Sequence, residues 1–426
     1  MVQSPILKVD DNPVVSSKRV KNLLDSFSLI GTSEKGSVSR IAFSPEDIKA
    51  RNFFIDLLTK IGLKIKIDSA GNIIGRLDGK YNNLSPIVTG SHLDTVPKGG
   101  KFDGTLGVIA GIEVAFLLNQ NKIKLNRPFE IIVFADEEST MIGSKALAGN
   151  ISKDPQDYSS SNSKSIISNL NLIGGNWEKI HESKRSKDDI FAFIELHVEQ
   201  GEFLENGNFD IGIVNGIVGQ KRISIKVKGQ SNHAGTTSML QRSDALIFAS
   251  KIILGIEQIT LEASDSAVAT VGKLNVFPNA PNVIPGEVVF SVDIRDIDIN
   301  VIDHILEQIK LLSSNLGNLS TCAVEIENEF EVLPTKSCPQ IVSNAFYESE
   351  NLGYKTSILP SKASHDSQEI GRITPMTMIF VPSRNGLSHS FKEFTSLEEC
   401  TKGIQVLLNT IFTIDRKYLP KEAGIR

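Results

Sequence analysis

Cysteine is scarce. Cys322, Cys338 and Cys400 are the only three in 426 residues, and none forms a CxxC pair. That argues against a disulfide framework and for a reducing compartment, so a cytoplasmic location is expected. Long apolar runs are missing as well. No stretch approaches the roughly 18 residues of a membrane span, and the N-terminal MVQSPILKVDDNPVVSSKRV has no apolar leader core. Nor is there an excess of charge of one sign: 45 basic residues against 50 acidic ones leave a net charge of −5. Such a balance offers no general attraction to nucleic acid or to an anionic membrane, and neither is expected as a partner. Histidine is sparse too, with seven in the chain, so the places where they fall carry weight.

What is present is ordinary for a soluble globular protein: 40% hydrophobic and 22% charged residues. The length exceeds what one simple core organises, and two domains are expected. Ser44-Pro45-Glu46-Asp47 predicts a helix start, with a capping serine, proline at the first position and acids in the first turn. The spacing of Phe53, Phe54, Leu57, Leu58 and Ile61 carries that helix to about Gly62. Strands LKIKID and NIIGRL follow, then the apolar runs from Pro86 and from Phe129 to Ala135, with a buried helix between them from Gly104 to about Asn119. Strand, helix, strand at this spacing predicts a βαβ unit and a largely parallel sheet. Residues 150–188, rich in Ser, Asn and Lys, read as a surface excursion with some helix. From about Gln220 the pattern becomes strand, helix, two strands, helix (Asn300 to Leu316, ended by Gly317) and a last strand, Cys322 to Val332. This is the split β-α-β-β-α-β arrangement of a small α+β domain. The fold class is therefore α/β, with a larger domain (1–211 and 333–426) and a smaller one inserted at 212–332.

Four segments carry chemistry, each just after a predicted strand. In Gly90-Ser91-His92-Leu93-Asp94, the histidine and aspartate share one side of a strand end, and Asp94 is placed to hold the second ring nitrogen of His92. Asp103 opens the next helix after a glycine-rich loop and can lie beside His92. Asp136-Glu137-Glu138 puts two adjacent glutamates at a strand terminus, where they repel unless a cation or proton intervenes. Glu195-Leu196-His197 and Leu387-Ser388-His389 complete the set. Each alone has a plain reading, as a loop histidine on an aspartate or an acidic pair in solvent. In open parallel sheets, however, ligands bind outside the carboxyl ends of the strands, and four such endings together outweigh their parts. The mixed nitrogen and oxygen donors suit zinc, and manganese, cobalt or nickel also fit them.

At this point the sequence resembles the two-zinc amidohydrolases and aminoacylase-like exopeptidases. The branch is that of N-carbamoyl-L-amino acid hydrolases, β-ureidopropionases and allantoate amidohydrolases. The motifs are GSHLDTVPKGGKFDGTLGV, ADEES, ELHVEQG, NHAGTTSM, PNAPNVIPGEVVFSVDIRD, ASHDSQ and VPSRNGLSHS, spread over nearly the whole chain. The resemblance implies two divalent ions, one held by His92 and His197, the other by Glu138 and His389, with Asp103 as bridge. It implies Glu137 as general base and Asp94 as the residue orienting His92. It implies that Asn282 and Arg295 bind a substrate carboxylate, that His233 reaches the scissile carbonyl oxygen, and that Gln200 is a polar residue of the site. The family's smaller domain supplies homodimer contacts and closes over the active site. One departure stands out: after Glu138, relatives continue into a longer loop containing Arg-Phe, which Ser139-Thr140-Met141-Ile142 here lacks.

The expected substrate is thus a small carboxylate-bearing ureido or amide compound. An N-carbamoyl-L-amino acid or β-ureidopropionate leads, allantoate is the alternative, and an aminopeptidase-like activity or a non-catalytic binding homologue stands further off. Arg295 has its own structural alternative, an ion pair with Asp293 or Asp296. His365 in Ser364-His365-Asp366 reads equally as a site residue or as a structural pair.

Overall fold

The computed structural model describes residues 12–33, 36–160, 164–318 and 321–418; residues 1–11 of the stretch read for a leader lie outside them. The chain forms two compact units. One comprises the described residues up to Asn215, Ser337–Ser361 and those from His365 onward; the other comprises Gly216–Lys336 with Lys362–Ser364. In chain order the strands are β1 (Lys64–Ile67), β2 (Ile73–Leu77), β3 (Ile87–His92), β4 (Phe129–Phe134), β5 (Ala192–Val198) and β6 (Ile211–Ile217). There follow β7 (Gly219–Lys228), β8 (Val268–Phe277), β9 (Glu287–Asp296), β10 (Ala323–Val332), β11 (Thr335–Lys336), β12 (Thr356–Ser361) and β13 (Met376–Val381).

In the first unit the sheet order is β1-β2-β4-β3-β5-β13-β6, with β12 beside β6. The four central strands β4, β3, β5 and β13 are parallel, and β1, β2 and β6 add on antiparallel. All four central strands are buried at every position, because helices cover both faces of such a sheet, and their sequences accordingly run apolar rather than alternating. The crossover from β3 to β4 is the helix Thr105–Gln120, buried nearly all round. It touches β3, β4 and β5 on one side and the helices Ser17–Ser28, Pro45–Ile61 and Leu397–Lys417 on the other, which is why it shows no polar face.

The helix Pro45–Ile61 starts and stops where the sequence predicts. Ser44 Oγ accepts from the Asp47 amide at 3.2 Å, and Gly62 ends it at φ 93°. The stretch 150–188 is less of a surface excursion than expected. Tyr158, Ile166, Leu170, Ile173 and Ile180 are buried in a cluster with Phe43, Ala135 and Ile142. A few apolar residues at irregular spacing suffice to anchor it, and irregular spacing carries no periodic signal.

In the second unit the sheet β10-β7-β9-β8 is wholly antiparallel. Ile223, Ile225 and Val227 of β7 and Val288, Phe290, Val292 and Ile294 of β9 pack under the helices Ala245–Ala263 and Ile299–Asn318. The alternation in β9 is strict, so the residues between these point to the opposite face. The second helix runs through Gly317 to Asn318 rather than stopping before the glycine; Gly317 stands in open space in the last turn, where a glycine is tolerated. Among the described residues no helix is long and apolar enough to cross a membrane.

Candidate metal centre

The parallel register of β3, β4 and β5 brings their carboxyl ends together, with His92 opposite Phe134 and His197 opposite Phe380 of β13. Asp103 sits in the loop that leads into the helix Thr105–Gln120, and His389 lies on the loop beyond β13 in a left-handed conformation, φ 53°. The Asp103 carboxylate is the centre of the group. Its Oδ1 lies 3.1 Å from His197 Nε2 and 3.7 Å from His92 Nε2. Its Oδ2 lies 3.3 Å from His389 Nε2, which is itself 3.4 Å from Glu138 Oε2. His92, Asp103 and His197 form one candidate metal-holding group, and Asp103, Glu138 and His389 form another, sharing the aspartate. Glu137 Oε2 stands 3.6 Å from His92 Nε2. Gln200, in an αL conformation with φ 60°, donates from Nε2 to Asp103 Oδ2 at 2.9 Å.

The donor chemistry fits a pair of divalent cations. His92 Nδ1 meets the Asp94 backbone carbonyl at 2.9 Å and His197 Nδ1 meets the Val198 carbonyl at 2.9 Å. With the proton held on Nδ1, each Nε2 turns a lone pair towards Asp103, and that of His197 also accepts from the Gly104 amide at 3.3 Å. Among the described residues Glu138 Oε1 is buried with no hydrogen-bond partner, an orphaned acceptor that a cation would satisfy. The role expected of Asp94 changes here. Its backbone carbonyl, not its carboxylate, holds His92; the carboxylate is 3.8 Å from Nδ1 and instead accepts from the Glu137 and Glu138 amides at 3.4 and 3.2 Å. The chain turns just after His92, so the nearer carbonyl takes the ring while the side chain reaches across to the glutamate turn.

The electrostatics tell the same story. Burial, reinforced by Asp103, pushes Glu138 up to about 8; burial together with Asp366 and Glu138 pushes Glu137 well above the usual carboxylate range. Asp103 goes the other way. Burial opposes its ionisation, but contacts from His197 and His389 hold it well below the ordinary value. His197, although buried, is carried up to about 9 by Asp103, and His389 is raised to about 9 by the same carboxylate. Crowded carboxylates of this kind are relieved by positive charge.

Three further residues support the centre, and one of them, Glu393, escaped the sequence reading. Glu393, 5% exposed, accepts from the Phe102 and Asp103 amides at 2.8 and 3.0 Å and from Ser388 Oγ at 3.1 Å. It ties the Asp103 loop to the loop of His389. Glu195, fully buried, accepts from Ser91 Oγ at 2.7 Å and Ser367 Oγ at 2.6 Å. A glutamate inside an otherwise apolar strand was the signal available for Glu195; Glu393 offered none. His365 packs its ring 4.4 Å from that of His197 and meets Ser361 Oγ at 3.0 Å; burial, reinforced by His197, keeps its pKa well below the usual histidine value. The shortened segment after Glu138 closes on itself, with Thr140 and Met141 amides both donating to the Asp136 carbonyl.

Gly104 has φ 61°, and a Cβ there would overlap the His92 ring. Gly104→Ala is expected to displace His92 and to add roughly 1–3 kcal/mol of backbone strain. Metal analysis and turnover should both fall while far-UV circular dichroism is unchanged; full metal content in this variant would contradict that account.

His233, Asn282 and Arg295 lie in the second unit. His233 Nδ1 accepts from the Gly235 and Thr236 amides at 3.0 and 3.2 Å, which leaves the proton on Nε2 as a donor. The Asn282 carbonyl accepts from Ala234 at 3.0 Å, so the two loops adjoin. Arg295 donates from Nε to Asp293 Oδ1 at 2.8 Å.

The model of peptidase family M20/M25/M40 matches residues 88–413. The chain belongs to this family. Over 94% of its length, this M20-family chain is 33% identical to 99% of an N-carbamoyl-L-amino acid amidohydrolase of Geobacillus stearothermophilus. It is 33% identical, over 93% of its length, to 97% of an allantoate amidohydrolase of Bacillus subtilis. Among solved structures, a hydantoinase/carbamoylase family amidase from Burkholderia multivorans superposes with a TM-score of 0.88, at 31% identity, covering 95% of this chain and 99% of that one.

Proposed function

We propose that this chain hydrolyses N-carbamoyl-L-amino acids or β-ureidopropionate to the amino acid, ammonia and carbon dioxide. It is a metal-dependent hydrolase of carbon–nitrogen bonds in ureido or amide compounds. The observation that carries this reading is the Asp103 carboxylate, with one oxygen turned to His92 and His197 and the other to His389. Two divalent ions, with zinc favoured by the donors, would be held by His92 and His197 and by Glu138 and His389, with Asp103 between. When bound they acidify water and polarise the scissile carbonyl. Glu137, its carboxylate pushed towards protonation by burial and by Asp366 and Glu138, takes a proton from the attacking water and hands it to the leaving nitrogen. Asp94 fixes the turn bearing Glu137 and Glu138 through their amides and holds His92 through its carbonyl. His233 Nε2 donates to the carbonyl oxygen as negative charge develops there. Arg295, with Asn282, grips the substrate carboxylate through the planar fork of its guanidinium. Gln200 keeps Asp103 Oδ2 in place.

Ammonia release from metal-loaded enzyme, with N-carbamoyl amino acids, β-ureidopropionate and allantoate side by side, tests the substrate. Turnover of a carbamoyl amino acid above the others is expected. Preference for allantoate would move the protein to the neighbouring activity, which the similarity to the Bacillus subtilis enzyme supports. Peptide hydrolysis with no ureido turnover would overturn the reading.

The second unit, Gly216–Lys336 with Lys362–Ser364, is read as the lid and dimerisation domain expected at 212–332, and the active form as a homodimer. The helix Ala245–Ala263 exposes Ile247, Leu254 and Leu261 at 54, 68 and 71%, two turns apart on one face. Beside them β8 is an edge strand, and Leu254, Leu261 and Val268 line a groove between the two elements. An apolar stripe next to an open sheet edge fits a second copy of the chain. Leu254→Asp is expected to convert dimer to monomer in sedimentation velocity with little change in melting temperature; an unchanged dimer would exclude this face. Among the described residues Cys322, Cys338 and Cys400 form no disulfide, which supports a reducing, cytoplasmic setting.

A further inference from the structure

The outer face of the second unit's sheet carries more positive charge than one carboxylate requires. Arg222 of β7 stands opposite Asp293 of β9, and Asp293 serves two guanidinium groups at once. Its Oδ1 accepts from Arg295 Nε at 2.8 Å; its Oδ2 accepts from Arg222 Nε at 3.2 Å and Nη2 at 2.9 Å, and also from Gln220 Nε2. These contacts hold Asp293 below its ordinary pKa despite partial burial. One negative charge thus fixes two positive ones side by side. Arg295 Nη1 also reaches the Lys362 carbonyl at 3.3 Å; among the described residues, Arg222 Nη1 and Arg295 Nη2 donate to no protein acceptor. The cavity above them, about 780 Å³, is lined by Arg222, Lys273, Arg295 and Lys362 against Asp293 and Glu329, and that volume suits a small-molecule ligand. Lys273 and Lys362 make no ion pair among the described residues. A single carboxylate on Arg295 would leave Arg222 and the lysines uncompensated; a second anionic group would meet them.

We propose that this cavity binds a ligand with two anionic groups, one on Arg295 and the other on Arg222, so that the preferred ureido substrate carries an acidic side chain. The substrate class rests on the reading that Arg295 takes the substrate carboxylate; the two-anion site itself does not. Isothermal titration of the metal-loaded full chain with glutarate and with butyrate reads the site without turnover. Glutarate is expected to bind roughly ten- to a hundredfold more tightly, and Arg222→Gln to remove most of that difference. Lys273→Gln, which touches none of the hydrogen bonds around Asp293, should weaken glutarate roughly two- to fivefold and serves if the arginine variant does not fold. In turnover, the kcat/KM ratio of N-carbamoyl-L-glutamate to N-carbamoyl-L-glutamine should exceed about ten and fall towards unity in Arg222→Gln. Equal affinity for glutarate and butyrate in the parent protein overturns the site. So does a ratio unchanged in a well-folded Arg222→Gln, which would make the cluster a self-contained surface ion pair. Arg222-dependent glutarate binding without any ureido hydrolysis would keep the site and reject the proposed reaction instead. Equal hydrolysis of both ureido compounds would keep the reaction and reject the preference for an acidic side chain.

Discussion

Glu137→Gln is expected to keep its metal and lose turnover by about a thousandfold or more. The carboxylate is 9% exposed and stands beside His92, but its neighbours in the cage, His92, Asp103 and His197, make their mutual contacts without it. The amide that replaces it has nearly the same shape and cannot accept a proton from water. Metal content measured by atomic absorption should therefore match the parent while kcat collapses and KM moves little. Burial, Asp366 and Glu138 raise the pKa of Glu137 well above the usual carboxylate range, which makes it a stronger base than an exposed glutamate. Near-parental kcat in the variant would remove Glu137 as the base.

Asp103→Asn is expected to empty the site rather than merely slow it. Each oxygen of Asp103 faces a different set of histidines, and the asparagine amide nitrogen, a donor only, would confront one of these sets. Lost affinity should exceed the roughly 10–100-fold that residues orienting a ligand command, because here the shared ligand itself is damaged. The variant should hold far less metal after dialysis and show no recovery of turnover when ions are restored at parental concentrations. The two variants separate roles: one keeps metal and loses chemistry, the other loses both. Parental metal content in Asp103→Asn would break the idea of a shared aspartate.

The centre was unusually legible because its residues sit at the ends of apolar strands. His92, Glu137, Glu138 and His197 each follow a run whose length and composition mark it as a buried strand, and parallel sheets open their crevice at that end. His389 also follows an apolar run, but at a greater remove, since a loop with a 3₁₀ turn separates it from β13. The split arrangement of the second unit could be read from period-two alternation in β7 and β9, which face helices on one side only.

Other features left no mark. Glu393 lies 290 residues from the amide of Asp103 that it binds, and nothing in its neighbourhood distinguishes it from a surface glutamate. Asp94 was assigned to His92 through its side chain, whereas a turn in the backbone gave that duty to a carbonyl. The contact of Arg222 with Asp293 is likewise a matter of cross-strand register, which a one-residue slip would undo, whereas Arg295 shares a strand face with Asp293.

By itself, then, the sequence determined which residue types would be available and on which kind of element each would sit, because periodicity and capping are local properties of the chain. Only the tertiary structure decided that Asp103 faces two histidines with one oxygen and a third with the other, and that Glu393 clamps their loops. Those relations depend on strand register and on the path of loops between distant segments, and neither is encoded within any single window of residues.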